Sequence, residues 1–325
     1  MNSSISQGSA HAQTSPTSAS ASDGARSRHG IVWPEGAKPF STHKVQSFKH
    51  TFHEHPLMQL PELAKLAKKL VATQQCRFIQ PGSDLTTPFF HGDADPQGRT
   101  IDEVFRRIEE PGSWVALYNV ETDPVYRGFL DEVIASMRPL VEREQPGIFN
   151  VGGFIFISAP PSVTPFHIDR ENNFWLQVKG RKVMNVWNPD DRVAVSGRDR
   201  DEFIVYATLD NVKLLDGLRE RSHEFHVGAG DGVYFPSTSP HMTHSDPGWT
   251  TPGDGVSVSI GVVFYTDVTR RHAYVHAVNL QLRRLGLTPT EPGESAWRDQ
   301  LKYLVGRAFI WAKKTFRGYQ PRVGF

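Results

Sequence analysis

A chain of 325 residues with one cysteine, Cys76, can close no disulfide of its own and cannot build a multi-cysteine zinc site. The scarcity suits a reducing compartment. Net charge is also nearly absent. With 36 Lys and Arg against 35 Asp and Glu, the formal +1 at pH 7 gives no global electrostatic footprint for nucleic acid or an anionic membrane. No apolar run approaches the roughly 20 residues of a membrane span. The first 28 residues have no apolar stretch of the kind a secretory signal needs, and only Arg26 and Arg28 as basic groups, too few for a transit peptide. Residues 1–30 are therefore expected to be a disordered tail, and the protein to be cytoplasmic. With 38% hydrophobic and 22% charged residues over its full length, the chain is ordinary globular material, and the part beyond the tail suffices for one large domain carrying a helical appendage.

Hydrophobic spacing divides that material. Leu57, Leu60, Leu63, Ala67 and Leu70 recur at helical intervals, with Lys65, Lys68 and Lys69 on the opposite face. Residues 101–108 and 126–140 show the same period, whereas 80–99 is rich in Pro, Gly and Asp and is expected to be loop. Past Gly152 the texture changes to short β-prone runs broken by Pro or Gly: Phe154 to Ile157, Phe174 to Val178, Lys182 to Trp187, Gly232 to Phe235 and Val256 to Phe264. Read as strands with no helices between them, 151–266 is an antiparallel sandwich or barrel. Helical spacing returns at Tyr274, Val278, Leu282 and Leu285. It continues in a second helix whose apolar face is expected at Trp297, Leu301, Leu304, Ala308 and Ala312, with Lys302 facing solvent. The expected organisation is a tail (1–30), an N-terminal helical and loop segment (31–150), a β core (151–266) and C-terminal helices (267–325).

His167-Ile168-Asp169 places two metal-competent side chains on one face of an extended segment. With 14 histidines and 35 acidic residues, chance alone supplies roughly one or two such pairs, so the pair needs a third partner. Pro240-His241, some seventy residues on, supplies one, because a closed antiparallel barrel makes distant strands neighbours. Two histidines and a carboxylate on one face of an octahedron hold Fe(II) and leave positions open for a bidentate co-substrate and dioxygen, the requirement of an oxygenase. A dicarboxylate co-substrate needs a cation inside the barrel. Lys182 is the candidate, with the Thr164 hydroxyl able to donate to the same carboxylate. Without the neighbouring motif, Lys182 would read as a solvated sheet residue like Lys179 and Arg181.

The run Gly153 to Ser158, Ser162 to Asp169 and Asn173 to Lys182 resembles the JmjC and cupin-like hydroxylases, and most closely the bacterial cupin-like JmjC proteins. It is also similar to the asparaginyl hydroxylases that act on hypoxia-inducible factor. Their motif has Thr three before the first His, Asp two after it, Asn six after and Lys fifteen after; Thr164, Asp169, Asn173 and Lys182 meet all four intervals. Gly230, Pro236 and His241 reproduce the second half, a Gly-Asp turn, a strand ending in Pro, and a histidine eleven residues past the Gly. The resemblance covers about 150–266. It implies a mainly β fold with flanking helices around a double-stranded β-helix (cupin or jelly-roll) core. It further implies Fe(II) on His167, Asp169 and His241, with 2-oxoglutarate held by Lys182 and Thr164 and assisted by Asn173. The expected activity is that of a 2-oxoglutarate-dependent dioxygenase hydroxylating a protein side chain or a small molecule, with the C-terminal helices as a homodimer contact.

Several points stay open at this level. His244 lies three residues past His241 and competes for the distal position. Gln177 lines the pocket or points outward. The hydroxyl of Ser257 or Ser259 is available to the co-substrate, and no assisting aromatic hydroxyl is identifiable. His272 and His276 sit four apart at zinc-compatible spacing but without a third ligand. A cupin enzyme using another metal and a non-catalytic cupin-like binding or regulatory protein are the alternatives, and substrate identity is not legible.

Overall fold

The computed structural model describes residues 29–33, 35–36, 38–79, 91–246, 248–249 and 255–325. Nearly all of the 1–30 tail and most of the 80–99 loop fall outside the described residues. The N-terminal part comprises β1 (Ile31–Val32), β2 (Gln46–His50), α1 (Leu60–Ala72), β3 (Cys76–Ile79), β4 (His91–Gly92), α2 (Ile101–Arg106), β5 (Trp114–Leu117) and α3 (Pro124–Val141). Next come β6 (Phe149–Ser158), β7 (Ser162–His167), β8 (Asn172–Lys179), β9 (Lys182–Val186), α4 (Gly197–Tyr206), β10 (His223–Val227), β11 (Asp231–Phe235), β12 (His241–Ser245) and β13 (Ser257–Tyr265). Two helices close the chain, α5 (Asp267–Arg284) and α6 (Ala296–Arg317).

Two antiparallel sheets face one another. The larger runs β1-β2-β11-β8-β13-β6-β5-β3-β4 and the smaller β10-β9-β12-β7, the arrangement of a double-stranded β-helix extended by N-terminal strands. Alternation along the large sheet separates two environments. Ile155 and Ile157 of β6, Phe174, Leu176 and Val178 of β8, and Val258, Ile260, Val262 and Phe264 of β13 pack in one aliphatic cluster with Leu63, Leu66 and Leu70 of α1 and Phe129, Val133 and Met137 of α3. The opposite face looks at the small sheet and is far more polar: Asn173, Trp175 and Gln177 on β8, Ser257 and Ser259 on β13, and Phe154, Phe156 and Ser158 on β6. The helices thus shield one face of the sheet and free the other to line a site.

Local chemistry sets the helix boundaries. Asp123 caps α3 by accepting from the Val125 N–H at 2.9 Å, with Pro124 at the first helical position. Thr266 and Thr269 form a reciprocal box at the start of α5.

Three expectations need correction. The β core is not free of helix, because α4 interrupts it between β9 and β10. Its ten residues open on a Ser196 cap but carry five charges in the first six positions, and two of those, Arg200 and Asp201, are buried rather than solvated. The buried face of α5 is Ala273, His276, Ala277 and Leu280 rather than Tyr274, Val278, Leu282 and Leu285. In α6 the buried residues are Lys302, Gly306 and Ile310, while Trp297, Leu301 and Leu304 are exposed. The cause is steric: glycine at 306 lets the helix meet the Tyr274 backbone closely, and the Lys302 ammonium satisfies the Thr290 carbonyl at 2.6 Å.

Candidate metal centre

β7 and β12 are neighbours in the small sheet with His167 opposite His241. The two rings lie with centroids 4.1 Å apart. Asp169, just past the end of β7, completes the group: its carboxylate is 3.8 Å from His167 Nε2 and 3.4 Å from His241 Nε2. One ligand atom from each of the three lies within 4.8 Å of the others, close enough to grip one ion. Each imidazole is oriented by its own strand. His167 Nδ1 donates to the Pro165 carbonyl at 2.7 Å and His241 Nδ1 to the Ser239 carbonyl at 3.0 Å, which leaves both Nε2 lone pairs for a metal. Burial, reinforced by His167, pushes the His241 imidazole down to about 4, so the ring is neutral at pH 7, the form that binds metal.

Strand register separates His241 from His244. On β12, His241 faces Val186 and Thr243 faces Met184, residues of β9 whose side chains point into the barrel with Lys182. His244 faces Val183 on the other side, where its ring lies 3.4 Å from Arg219 and 3.9 Å from Asp246.

Thr164 and His167 are three residues apart, an odd interval that would put them on opposite faces of a regular strand. The β7 to β12 register shifts between the two, so that one extra β7 residue is accommodated around Pro165-Phe166. This bulge brings both side chains inward and sends Phe166 outward, against Trp187 at 5.0 Å.

Lys182 is 1% exposed, and among the described residues no carboxylate lies within salt-bridge distance. Its nearest polar neighbour is Ser162 Oγ at 3.4 Å. Ser162 in turn pairs with Ser245 Oγ at 2.6 Å and Ser158 Oγ at 3.0 Å, so three serine hydroxyls gather beside the ammonium. Burial alone pushes the Lys182 ammonium down to about 8, so it is still charged at pH 7.

Further orphaned polar atoms line the inner face: Asn173 Oδ1, Gln177 Oε1 and Ser259 Oγ are buried without a protein partner. Gln177 faces inward, its amide held by Ser257 Oγ at 2.8 Å. Glycine at 261 leaves Asn173 room, since a Cβ there would press on its amide at 3.2 Å. The serine group at 158, 162 and 245 and the phenol of Tyr118 were missed in the sequence. Tyr118 follows β5 and packs against Phe154 with ring centroids 5.0 Å apart. Its ionisation is driven upward by burial and by the charge of Asp169. No sequence motif marks these groups; only the alternation of β5 and β6, read with the correct face inward, would have exposed them. His272 and His276 bring no third ligand: His276 Nδ1 is bound to the buried Asp201 carboxylate at 2.6 Å.

Comparison with known proteins follows the same lines. A family model described as the JmjC domain matches residues 144–269. Among solved structures, YcfD, a ribosomal oxygenase from Escherichia coli, shares 15% identity over 83% of this chain and 63% of that one, at a TM-score of 0.41. The structure of YcfD in complex with cobalt and 2-oxoglutarate shares 16% over the same 83% and 63%, at 0.40. The chain therefore spans about 63% of the length of those structures. A search of curated proteins found no match. The residues matched by the JmjC-domain model, 144–269, include the convergent histidines and aspartate.

Proposed function

We propose that the protein is an Fe(II)- and 2-oxoglutarate-dependent oxygenase that hydroxylates a protein side chain or a small molecule. The observation that carries this reading is the buried, counterion-free ammonium of Lys182 in the same barrel interior as three convergent metal-competent side chains. An unpaired buried cation is costly, and a dicarboxylate whose far end reaches Lys182 would offset that cost. The orphaned Asn173, Gln177 and Ser259 atoms fit a polar occupant of the same chamber.

His167, Asp169 and His241 would hold the iron, which supplies dioxygen activation coupled to co-substrate decarboxylation. Lys182 would bind the distal carboxylate, with Thr164 and the serines at 158, 162 and 245 supplying hydroxyl donors around it. Asn173 would orient the co-substrate on the metal side. The buried Trp175 and Phe235 would give the chamber an apolar wall, with the half-buried Phe154 and Phe156 on the same face of the large sheet. The working division of the chain keeps 31–150 as an N-terminal segment, 151–266 as the core and 267–325 as C-terminal helices. We assign the protein to the cytoplasm; among the described residues no helix is long and apolar enough to cross a membrane. A homodimer contact is assigned to α6, whose Trp297, Trp311 and Phe316 are 68%, 63% and 77% exposed.

The test is spectroscopic. Anaerobic protein with Fe(II) should develop a visible charge-transfer band on addition of 2-oxoglutarate, and in air should release succinate without added substrate. Absence of both in wild-type protein that binds Fe(II) removes the reading, and a preference for zinc or manganese in anaerobically purified protein would favour another cupin chemistry.

A further inference from the structure

On the far side of the loop bearing Asp169 lies a second chamber of about 300 Å³, walled by α4, α5 and the segment after β11. None of the three convergent residues lines it. Arg200 does, and its side chain is 1% exposed. Nη2 donates to the Asp191 carbonyl at 2.9 Å, but Nε and Nη1 are buried with no protein acceptor. Arg170 lines the same chamber, its Nε likewise buried and without a partner.

The surrounding carboxylates are engaged elsewhere. Asp201 is held by His276 and by Arg283 at 2.8 Å, Glu171 accepts from the Tyr265 hydroxyl at 2.6 Å, and Glu291 pairs through Oε1 with Arg283 and, at 3.9 Å, with Arg192, its Oε2 being buried without a hydrogen-bond partner. The exposed Asp190 is the acidic residue in the chamber lining, against Arg170 and Arg200. Buried guanidinium nitrogens without acceptors are costly, and planar arrays of such donors match oxyanions in geometry and charge.

We propose that this chamber is a second ligand site, separate from the metal centre, that binds the phosphate or carboxylate group of a small molecule on Arg200 and Arg170. The volume admits a small metabolite-sized anion rather than a polymer. The site also touches the metal loop. Thr238 lines the chamber while donating its N–H to the Asp169 carbonyl at 2.8 Å, and Ser237 lines it while donating to the Arg170 carbonyl at 2.8 Å. The inference stands independently of the oxygenase reading, because it uses neither metal nor co-substrate.

Calorimetric titration of the full chain with inorganic phosphate, and in a parallel arm with acetate, tests it. The expected result is saturable single-site binding in at least one arm, and the tighter arm identifies the group preferred. Arg200→Gln should weaken binding at least ~10-fold, the lower end of what loss of hydrogen bonds to a charged group costs. Should Arg200→Gln fail to fold, Arg170→Gln on the opposite wall carries the same expectation. The proposal is overturned if wild-type protein takes up neither anion, so that the chamber holds only water. It is equally overturned if the arginine variants bind as wild type does, or if Lys182→Ala abolishes binding and so places the anion in the metal chamber.

Discussion

On the proposed function, Lys182 makes opposite demands before and after the co-substrate's carboxylate arrives. In the empty chamber its charge is desolvated without compensation, so Lys182→Met should raise the stability of co-substrate-free protein by about 1–4 kcal/mol in chemical denaturation. The same substitution should weaken 2-oxoglutarate binding by about 10²-fold or more, read from the charge-transfer titration, because the far carboxylate would then be buried unpaired. The pH dependence has a definite sign. The folded ammonium titrates near 8 against an ordinary 10.5, so between those values the unfolded chain holds more protons. Stability of the co-substrate-free wild type should therefore rise from pH 8 towards 10.5, and Lys182→Met should flatten that rise. At the metal, Asp169→Asn should lower Fe(II) affinity by more than about 10-fold in anaerobic titration, since loss of even an outer-shell partner costs about that much. Single residues were the most legible level of the sequence. The intervals linking Thr164, His167, Asp169, Asn173 and Lys182 stood out through the family resemblance, and the fold brings His167, Asp169 and His241 together. His244 was separable from His241 only once the register of β12 on β9 was known.

Among the elements, α4 and α6 depart most from what periodicity suggested, and for the same reason. Both bury charge or glycine where an apolar stripe would be expected. The fully buried Asp201 carboxylate locks α4 to α5 through the buried His276 and the partly exposed Arg283. Removing one partner of such a buried network is severe: Asp201→Ala should cost about 3–5 kcal/mol in denaturant unfolding, with the loss concentrated in the α4–α5 layer. Gly306→Ala tests the α6 contact. A Cβ there would sit 2.6 Å from the Tyr274 carbonyl, so the helix must move, and a destabilisation of about 1–3 kcal/mol is expected in thermal or chemical melts. The strands were easier to read than the helices. Runs such as Phe154 to Ile157 are β-prone whichever face is buried, but with both faces covered they carry no alternation to say which side is aliphatic and which lines the chamber.

The whole molecule should be sensitive to acid. Burial pushes the His50 and His272 imidazoles down to about 4 from an ordinary 6.5, helped in each case by a neighbouring histidine. Between pH 6.5 and 4 the unfolded chain therefore takes up more protons than the folded one, and acidification through that window favours unfolding. Melting temperature should be level between pH 6.5 and 8 and fall steadily below 6.5, and His50→Gln should shallow the descent. Overall architecture followed from the change of texture at Gly152, because a β-helix needs many short strands and the flanking helices need long amphipathic ones. The second chamber was not legible, since it joins residues from widely separated segments through side chains that look like ordinary surface arginines.

The bulge in β7 has one more implication. Alternation makes even intervals the natural language of a strand, so an odd interval between two residues that must look the same way records an extra link in the ladder. Thr164 and His167 keep such an interval, and with it the strand stores a change of phase that no single substitution can erase. Insertion or loss of one residue there would change which side chains meet the chamber, making chain length at this point as much a determinant of the site as the identity of its ligands.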